Sequence, residues 1–243
     1  MFADDWNLST MKLETSILED LGRVWVRGAI EGADLSALDR ACEIGAVPGG
    51  RLEWNADLIA AAGVESRLTR VARDLVPGAF PVRILAFNKT SEMNWSVPWH
   101  QDRVIAVKER HELEGYNAWT RKAGIWHVEP PVALLEEMFF ARIHLDDSDG
   151  SNGCLQVGLG THRSGRIAAK DVLEVAEQAE VEDSVAKRGD VLFVKALTLH
   201  RSSPSQQSSS RRTLRIDYSV RSLPAPLEWA LSERSNPDLD AEL

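Results

Sequence analysis

Apolar residues recur at helical spacing over the first third of the chain and at the alternating spacing of strands over much of the rest. From Thr10 the stripe Leu13, Ile17, Leu18 and Leu21 predicts an amphipathic helix that Gly22 stops, preceded by a loosely packed acidic segment, Met1 to Ser9, carrying Phe2 and Trp6. Arg23-Val24-Trp25-Val26-Arg27 alternates as a strand. Asp34 is placed to cap a second helix with Leu35, Leu38 and Cys42 on one face, ended by Val47-Pro48-Gly49-Gly50. A third helix, Val64 to Leu75, brings Leu68, Val71 and Leu75 together before Pro77-Gly78 breaks it. Three such helices with one apolar face each predict a layer that covers one side of a sheet.

Pro81 to Asn88 reads as a strand entering the centre of the fold, followed by a turn-rich passage to His100. The clearest alternation lies in Glu136 to Asp146. There Phe139, Ala141, Ile143 and Leu145 take one face, and Arg142, His144 and Asp146 the other. The strand around Arg211 divides in the same way, with Arg211, Thr213, Arg215 and Asp217 opposite Leu214, Ile216, Tyr218 and Val220. Ile167 to Glu180 reads as a charged surface helix with Val172, Val175, Ala176 and Ala179 inward, and Gly189-Asp190 opens a strand that runs to His200. Ser202 to Ser210 reads as a hairpin loop, and the residues after Tyr218 as a frayed acidic tail. Val107 to Pro131 has no clean periodicity. With His111, Tyr116, Trp119, Trp126 and His127 it reads either as a lid closing over a ligand or as a surface loop pinned by its tryptophans.

Composition narrows the function. At 243 residues with 44% hydrophobic positions the chain suits one domain, residues 1–243, with a sizeable core. A net charge of −9 argues against nucleic acid as a partner. Two cysteines, Cys42 and Cys154, in no C-x-x-C pattern suit a reducing compartment, and the absence of a long apolar run argues against a membrane partner. The expectation is a cytoplasmic protein acting on a small molecule.

The chemistry gathers at Val97-Pro98-Trp99-His100-Gln101-Asp102. On a strand, residues two apart share a face, so His100 and Asp102 aim an imidazole and a carboxylate at one point. Alone, this pair also fits a hydrogen-bonded loop. His200 offers a third ligand, and two histidines with one carboxylate on one face of an iron leave the opposite positions open, the arrangement of non-haem Fe(II) oxygenases. His111 and His127 are rival ligands, but they lie in the irregular stretch. Arg211, a short loop beyond His200, can offer a planar fork to a carboxylate bound at the metal, with the Ser202 hydroxyl nearby. Arg142 faces the interior if the alternation holds. There it meets either substrate or co-substrate, or an internal partner such as Asp217 or Asp146. Inward arginines favour an anionic substrate.

This order of His100-x-Asp102, distal His200 and trailing Arg211 resembles the phytanoyl-CoA dioxygenase family. The resemblance extends to Asn152-Gly153-Cys154-Leu155 with Gly160-Thr161-His162, similar to that family's NGCL and PGSH turn, and it spans roughly Arg83 to Tyr218. The chain departs from the pattern at Gly158-Leu159-Gly160, where a proline is usual before the last glycine. The resemblance implies a mainly β fold, a double-stranded β-helix of jelly-roll or cupin kind with flanking helices. It implies Fe(II), 2-oxoglutarate and O2 as cofactor and co-substrates. It also implies hydroxylation of an unactivated C–H bond with release of succinate and CO2, rather than halogenation, because Asp102 is present. It adds Lys89 as a 2-oxoglutarate contact, against the plainer reading of a solvated lysine. Two other classes share these ligands: a metal-dependent hydrolase, and a metal-bearing binding protein without turnover.

Overall fold

The computed structural model of the protein describes residues 8–42, 49–90, 92, 94–206 and 211–231. Three antiparallel sheets form its frame. The largest has six strands in the order β1 (Arg23–Val26), β11 (Val191–Lys195), β8 (Phe139–His144), β13 (Arg211–Ser219), β3 (Phe80–Lys89) and β2 (Gly49–Leu52). The second has four: β10 (Val181–Asp183), β9 (Leu155–Gly158), β12 (His200–Ser202) and β4 (Val97–His100). The third has three: β5 (Ile105–Val107), β7 (Ile125–Glu129) and β6 (Asn117–Lys122). The inner faces of the first two sheets pack together through Phe140, Leu192 and Val194 on one side and Leu155 and Val157 on the other. This is the jelly-roll core, with helices on its outer side.

Every side chain of β8 is buried, which explains its two-sided pattern. Phe139, Ala141 and Ile143 join Leu214, Ile216 and Tyr218 of β13 in a core closed by helices α1 (Leu8–Leu21), α2 (Gly32–Ala41), α3 (Ala56–Ala62) and α4 (Arg67–Leu75). The opposite face of the same strands looks into the barrel. There the register aligns Leu192, Arg142, Arg215, Leu85 and Arg51 in one cross-strand row. A second core lies on the other flank, where Val82, Val107, Val128, Leu135 and Trp229 meet. Helices α5 (Val132–Glu137) and α6 (Val172–Gln178) complete the element order. No helix among the described residues is long and apolar enough to cross a membrane.

Several elements differ from the sequence expectation. In α1, Leu18 is fully buried while Leu13 is 61% exposed, so the stripe is narrower than predicted; the segment Met1 to Asn7 lies outside the described residues. Asp34 does not cap α2. The cap is Glu31, and Asp34 sits in the first turn, where its charge still favours the helix N-terminus. Residues 43–48, including Val47-Pro48, lie outside the described residues, and Gly49-Gly50 begin β2 rather than ending a helix. The predicted third helix is shorter, because Ser66 Oγ accepts the Thr69 N–H and starts α4 at Arg67. Ahead of it α3 was not expected; Asn55 Oδ1 accepts the Leu58 N–H at 2.9 Å and caps it.

The stretch Val107 to Pro131 is mostly the third sheet. Its β6–β7 hairpin turns at Ala123 and Gly124, with φ of +47° and +82°, as a two-residue turn with two left-handed positions requires. Side chains on β6 are exposed on both faces apart from Trp119, which erases the periodicity that would have announced a strand. The single strand expected from Gly189 to His200 is two, β11 and β12, in different sheets. Since β12 pairs with β4 and β9 while β13 pairs with β3 and β8, the serine-rich segment crosses between sheets and is not a hairpin loop; residues 207–210 lie outside the described ones. The charged helix is confined to α6, and past Tyr218 a largely exposed segment is anchored by the buried Leu227 and Trp229. The acidic end beyond Leu231 lies outside the described residues.

Candidate metal centre

β4 and β12 are neighbours whose antiparallel register puts His100 directly opposite His200. Their rings stand 4.2 Å apart between centroids, on the face of the minor sheet that looks into the barrel. Asp102 lies two residues past the end of β4, and its Oδ2 is 3.5 Å from His200 Nε2. Ligand atoms of His100, Asp102 and His200 all fall within 4.8 Å of one another, and this is the group among the described residues compact enough to hold a metal ion.

Both imidazoles are set for the task by the chain itself. His100 Nδ1 donates to the Pro98 carbonyl at 2.9 Å and His200 Nδ1 to the Thr198 carbonyl at 2.8 Å, in each case two residues back. A carbonyl only accepts, so each Nδ1 carries the proton and each Nε2 keeps its lone pair for a cation. Burial pushes His200 down to about 4, against the pull of Asp102, so it is neutral at pH 7. For Asp102, burial acts to raise its carboxyl, but Arg215, His200 and Arg83 outweigh it and hold it well below the usual carboxylate range. The donor set is therefore two imidazoles, each with Nδ1 turned to a backbone carbonyl, and a carboxylate, which suits a divalent transition metal.

A cavity of about 150 Å³ opens beside these ligands, lined by His100, His200, Ser202, Arg142, Arg211 and Arg215. Arg211 is buried, and its Nε and Nη1 have no hydrogen-bond partner; burial lowers its pKa. Arg142 is buried too, with an unpartnered Nε, and burial with Arg211 and Arg215 beside it lowers its pKa well below the ordinary value. The internal partners expected for Arg142 are taken. Asp217 holds Arg83 and Arg215, and Asp146 holds Arg212. Two desolvated guanidiniums thus share one cavity with no carboxylate paired to either among the described residues. Desolvated cations of this kind are costly unless an anion completes them.

Lys89 is buried rather than solvated, but it is not among the residues lining this cavity. Its Nζ donates to the Ser203 carbonyl at 2.6 Å and lies 5.2 Å from the Trp95 ring centroid, and burial with Arg211 and Arg142 nearby lowers it to about 8. The same Ser203 carbonyl explains Gly153 in the Asn152-Gly153-Cys154-Leu155 turn. With φ at +70°, a Cβ there would sit 2.3 Å from that oxygen. His111 lies 3.6 Å from Glu109, and His127 Nε2 sits 2.8 Å from an Arg51 nitrogen, so neither rival histidine joins the metal cluster. Arg215 was legible as an inward residue but not as the partner of Asp102, since spacing does not reveal which carboxylate a buried arginine meets.

A larger cleft of about 900 Å³ adjoins the cavity and shares Phe87 and Trp95 with it. The β6–β7 hairpin forms one wall through Lys122, Ala123, Ile125 and His127, and β2 forms the other through Gly49, Gly50 and Arg51.

The model of one family, described as phytanoyl-CoA dioxygenase (PhyH), matches residues 50–213. No curated protein matches the chain in sequence. Among solved structures, AviO1 from Streptomyces viridochromogenes Tue57 superposes with a TM-score of 0.62 at 18% identity, covering 88% of this chain and 96% of its own. The epimerase SnoN in complex with Fe3+, alpha ketoglutarate and nogalamycin RO gives 0.60 at 12% identity, covering 90% and 92%. HygX from Streptomyces hygroscopicus with nickel, 2-oxoglutarate and hygromycin B bound gives 0.57 at 14% identity, covering 86% of each chain.

Proposed function

The chain belongs to the phytanoyl-CoA dioxygenase family, and on that footing we propose that it is an Fe(II)- and 2-oxoglutarate-dependent oxygenase hydroxylating an unactivated C–H bond of a small molecule. The observation that carries this reading is the shared cavity. His100 and His200 line it on one side, with the Asp102 carboxylate behind them and within 4.8 Å of both, and on the other side stand two guanidiniums with no carboxylate paired to them among the described residues. A metal alone would leave those guanidiniums unsatisfied, whereas an anion bridging metal and arginine completes both.

His100, Asp102 and His200 would hold the iron. Arg211 would take the distal carboxylate of 2-oxoglutarate in a charge-assisted pair, with the Ser202 hydroxyl beside it. Arg142 would contact the same co-substrate or an anionic group of the substrate. When bound, iron with 2-oxoglutarate and O2 supplies the oxidising power for the C–H bond and leaves succinate and CO2. The chain's own work is to keep His200 neutral and both imidazoles aimed, to hold Asp102 ionised through Arg215, and to wall the site with Phe87, Trp95 and Phe140 against water. The cleft beyond Phe87 and Trp95 is large enough for a substrate of drug size. Solved structures of this fold include an epimerase, a carbocyclase and a protein with hygromycin B bound, which supports a compact polyfunctional small molecule as the substrate class.

Anaerobic titration with Fe(II) and 2-oxoglutarate tests the reading. The expected result is a visible charge-transfer band that needs both components, and succinate formed from 2-oxoglutarate once air is admitted. Iron binding with no effect of 2-oxoglutarate on the spectrum and no succinate would favour the hydrolase or binding classes instead.

A further inference from the structure

We propose that Gln101, the residue between the two ligands of the His-x-Asp pair, is the positioning residue that sets Asp102 against His200. The inference rests on the metal-centre reading above. Strand pairing places His100, because β4 runs to that residue and pairs it with His200. It cannot place Asp102, which lies beyond the end of the strand. Three other contacts act there: the Asp102 N–H donates to the Ala196 carbonyl at 3.0 Å, Arg215 Nη2 lies 2.8 Å from the Asp102 Oδ2, and the Gln101 side chain turns inward, 6% exposed, to fix the backbone between the two ligands.

That side chain gives both Nε2 protons, and one lone pair of Oε1, to the main chain. Nε2 donates to the Leu197 carbonyl at 2.7 Å and to the Gly165 carbonyl at 2.8 Å, and Oε1 accepts the Ile167 N–H at 2.9 Å. The amide has one orientation only, since flipping it would set its oxygen against two carbonyls and its NH2 against an N–H. Leu197 stands three residues before His200, in a turn outside the strand ladder. Gly165 and Ile167 follow the Gly160-Thr161-His162 turn, whose Thr161 Oγ1 accepts the Leu199 N–H at 2.9 Å. One buried amide therefore ties the segment bearing two candidate ligands to the segment bearing the third and to the turn that braces it. Removing it leaves a buried carbonyl, a half-buried carbonyl and a buried N–H unpaired and loosens the backbone that carries Asp102.

The test compares wild type with Gln101→Met, which keeps the volume and makes no hydrogen bond, and Gln101→Asn, one carbon shorter. Leu58→Ala, in the helical core, serves as a destabilised control remote from the site. The readouts are the Fe(II) dissociation constant by anaerobic titration, the charge-transfer band with 2-oxoglutarate, and the thermal midpoint of the metal-free protein. A positioning role predicts that Gln101→Met raises the Fe(II) dissociation constant on the order of 10- to 100-fold and shifts the band, as loss of a group that orients a ligand does, while Leu58→Ala moves only the midpoint. Wild-type affinity and band in Gln101→Met, an equal effect of Leu58→Ala, or failure of both Gln101 variants to fold would overturn the proposal. His100→Ala separates the two levels. If it binds Fe(II) like wild type, the metal centre itself is wrong; if it does not, the Gln101 result stands by itself.

Discussion

Arg215 reaches the candidate metal ligand Asp102, with Nη2 2.8 Å from Oδ2, while its Nε donates to Asp217 Oδ1 at 2.6 Å. Asp217 in turn holds Arg83 at 2.5 Å, so an alternating chain of buried charges ends on the metal site. Because Arg215 is the arginine paired to Asp102, Arg215→Met strands that carboxylate and leaves Asp217 to Arg83 alone. Unfolding of the metal-free variant by urea should show a loss of about 3–5 kcal/mol, the cost of breaking a buried pair, together with weaker Fe(II) binding. A wild-type urea midpoint in Arg215→Met would show that the chain of charges does not support the site.

Arg211 and Arg212 are adjacent and face opposite ways. Arg211 lies in the cavity, while Arg212 pairs outside with Asp146 at 2.8 Å and Asp39 at 3.1 Å. Arg211→Ala should raise the 2-oxoglutarate KM at least about tenfold, equivalent to about 1.4 kcal/mol, and leave Fe(II) affinity near wild type. Arg212→Ala should leave both unchanged and cost about 1 kcal/mol of stability or less, as half-exposed ion pairs do. The reverse pattern in steady-state kinetics would place the co-substrate on the other face of β13.

Arg142 is buried without an anionic partner, so removing its charge should not destabilise the apoprotein. Arg142→Met is expected to melt at or above the wild-type temperature and to bind 2-oxoglutarate or substrate more weakly. A melting temperature several degrees lower, with ligand affinity intact, would mean that the guanidinium serves packing instead.

Acid should weaken the apoprotein through histidines held neutral. Burial, with Arg51 and Arg83 close by, pushes His127 down to about 4, and burial with Arg142 beside it pushes His144 to about 3. Unfolded histidine binds its proton near 6.5, so the unfolded chain takes up protons first. These groups therefore cost no stability above roughly pH 6.5 and lower it as pH falls from there toward 4. Thermal midpoints across that window should fall in wild type and fall less in His127→Gln. Parallel curves would exclude His127 as a contributor.

Where a function depends on residues close in sequence or on strict alternation, the chain could be read directly. The inward face of β8 and the opposed directions of Arg211 and Arg212 were legible; the closeness of His100 and Asp102 was expected too, but for a different reason, since Asp102 lies past the end of β4 and strand alternation does not place it. The places where reading failed share a physical cause. Helix α3 rests on Asn55 and small alanines, a weaker periodic signal than leucines. Strand β6 has solvent on both faces, so nothing imposes period two. The apolar run before His200 hides a turn that passes the chain from one sheet to the other. The pairings of Gln101 with Leu197, Gly165 and Ile167, and of Arg215 with Asp102, join residues some 60 to 110 positions apart, and no local pattern records them.

The segment after β12 carries the chain from the minor sheet to the major one. As a result, the two strands that bear candidate metal ligands, β4 and β12, belong to one sheet, and the strands that bear the unpaired guanidiniums, β8 and β13, belong to the other. On the proposed reading, the imidazoles for the ion and the guanidiniums for an acid beside it come from separate sheets, so a preparation whose sheets have come apart would lose both at once.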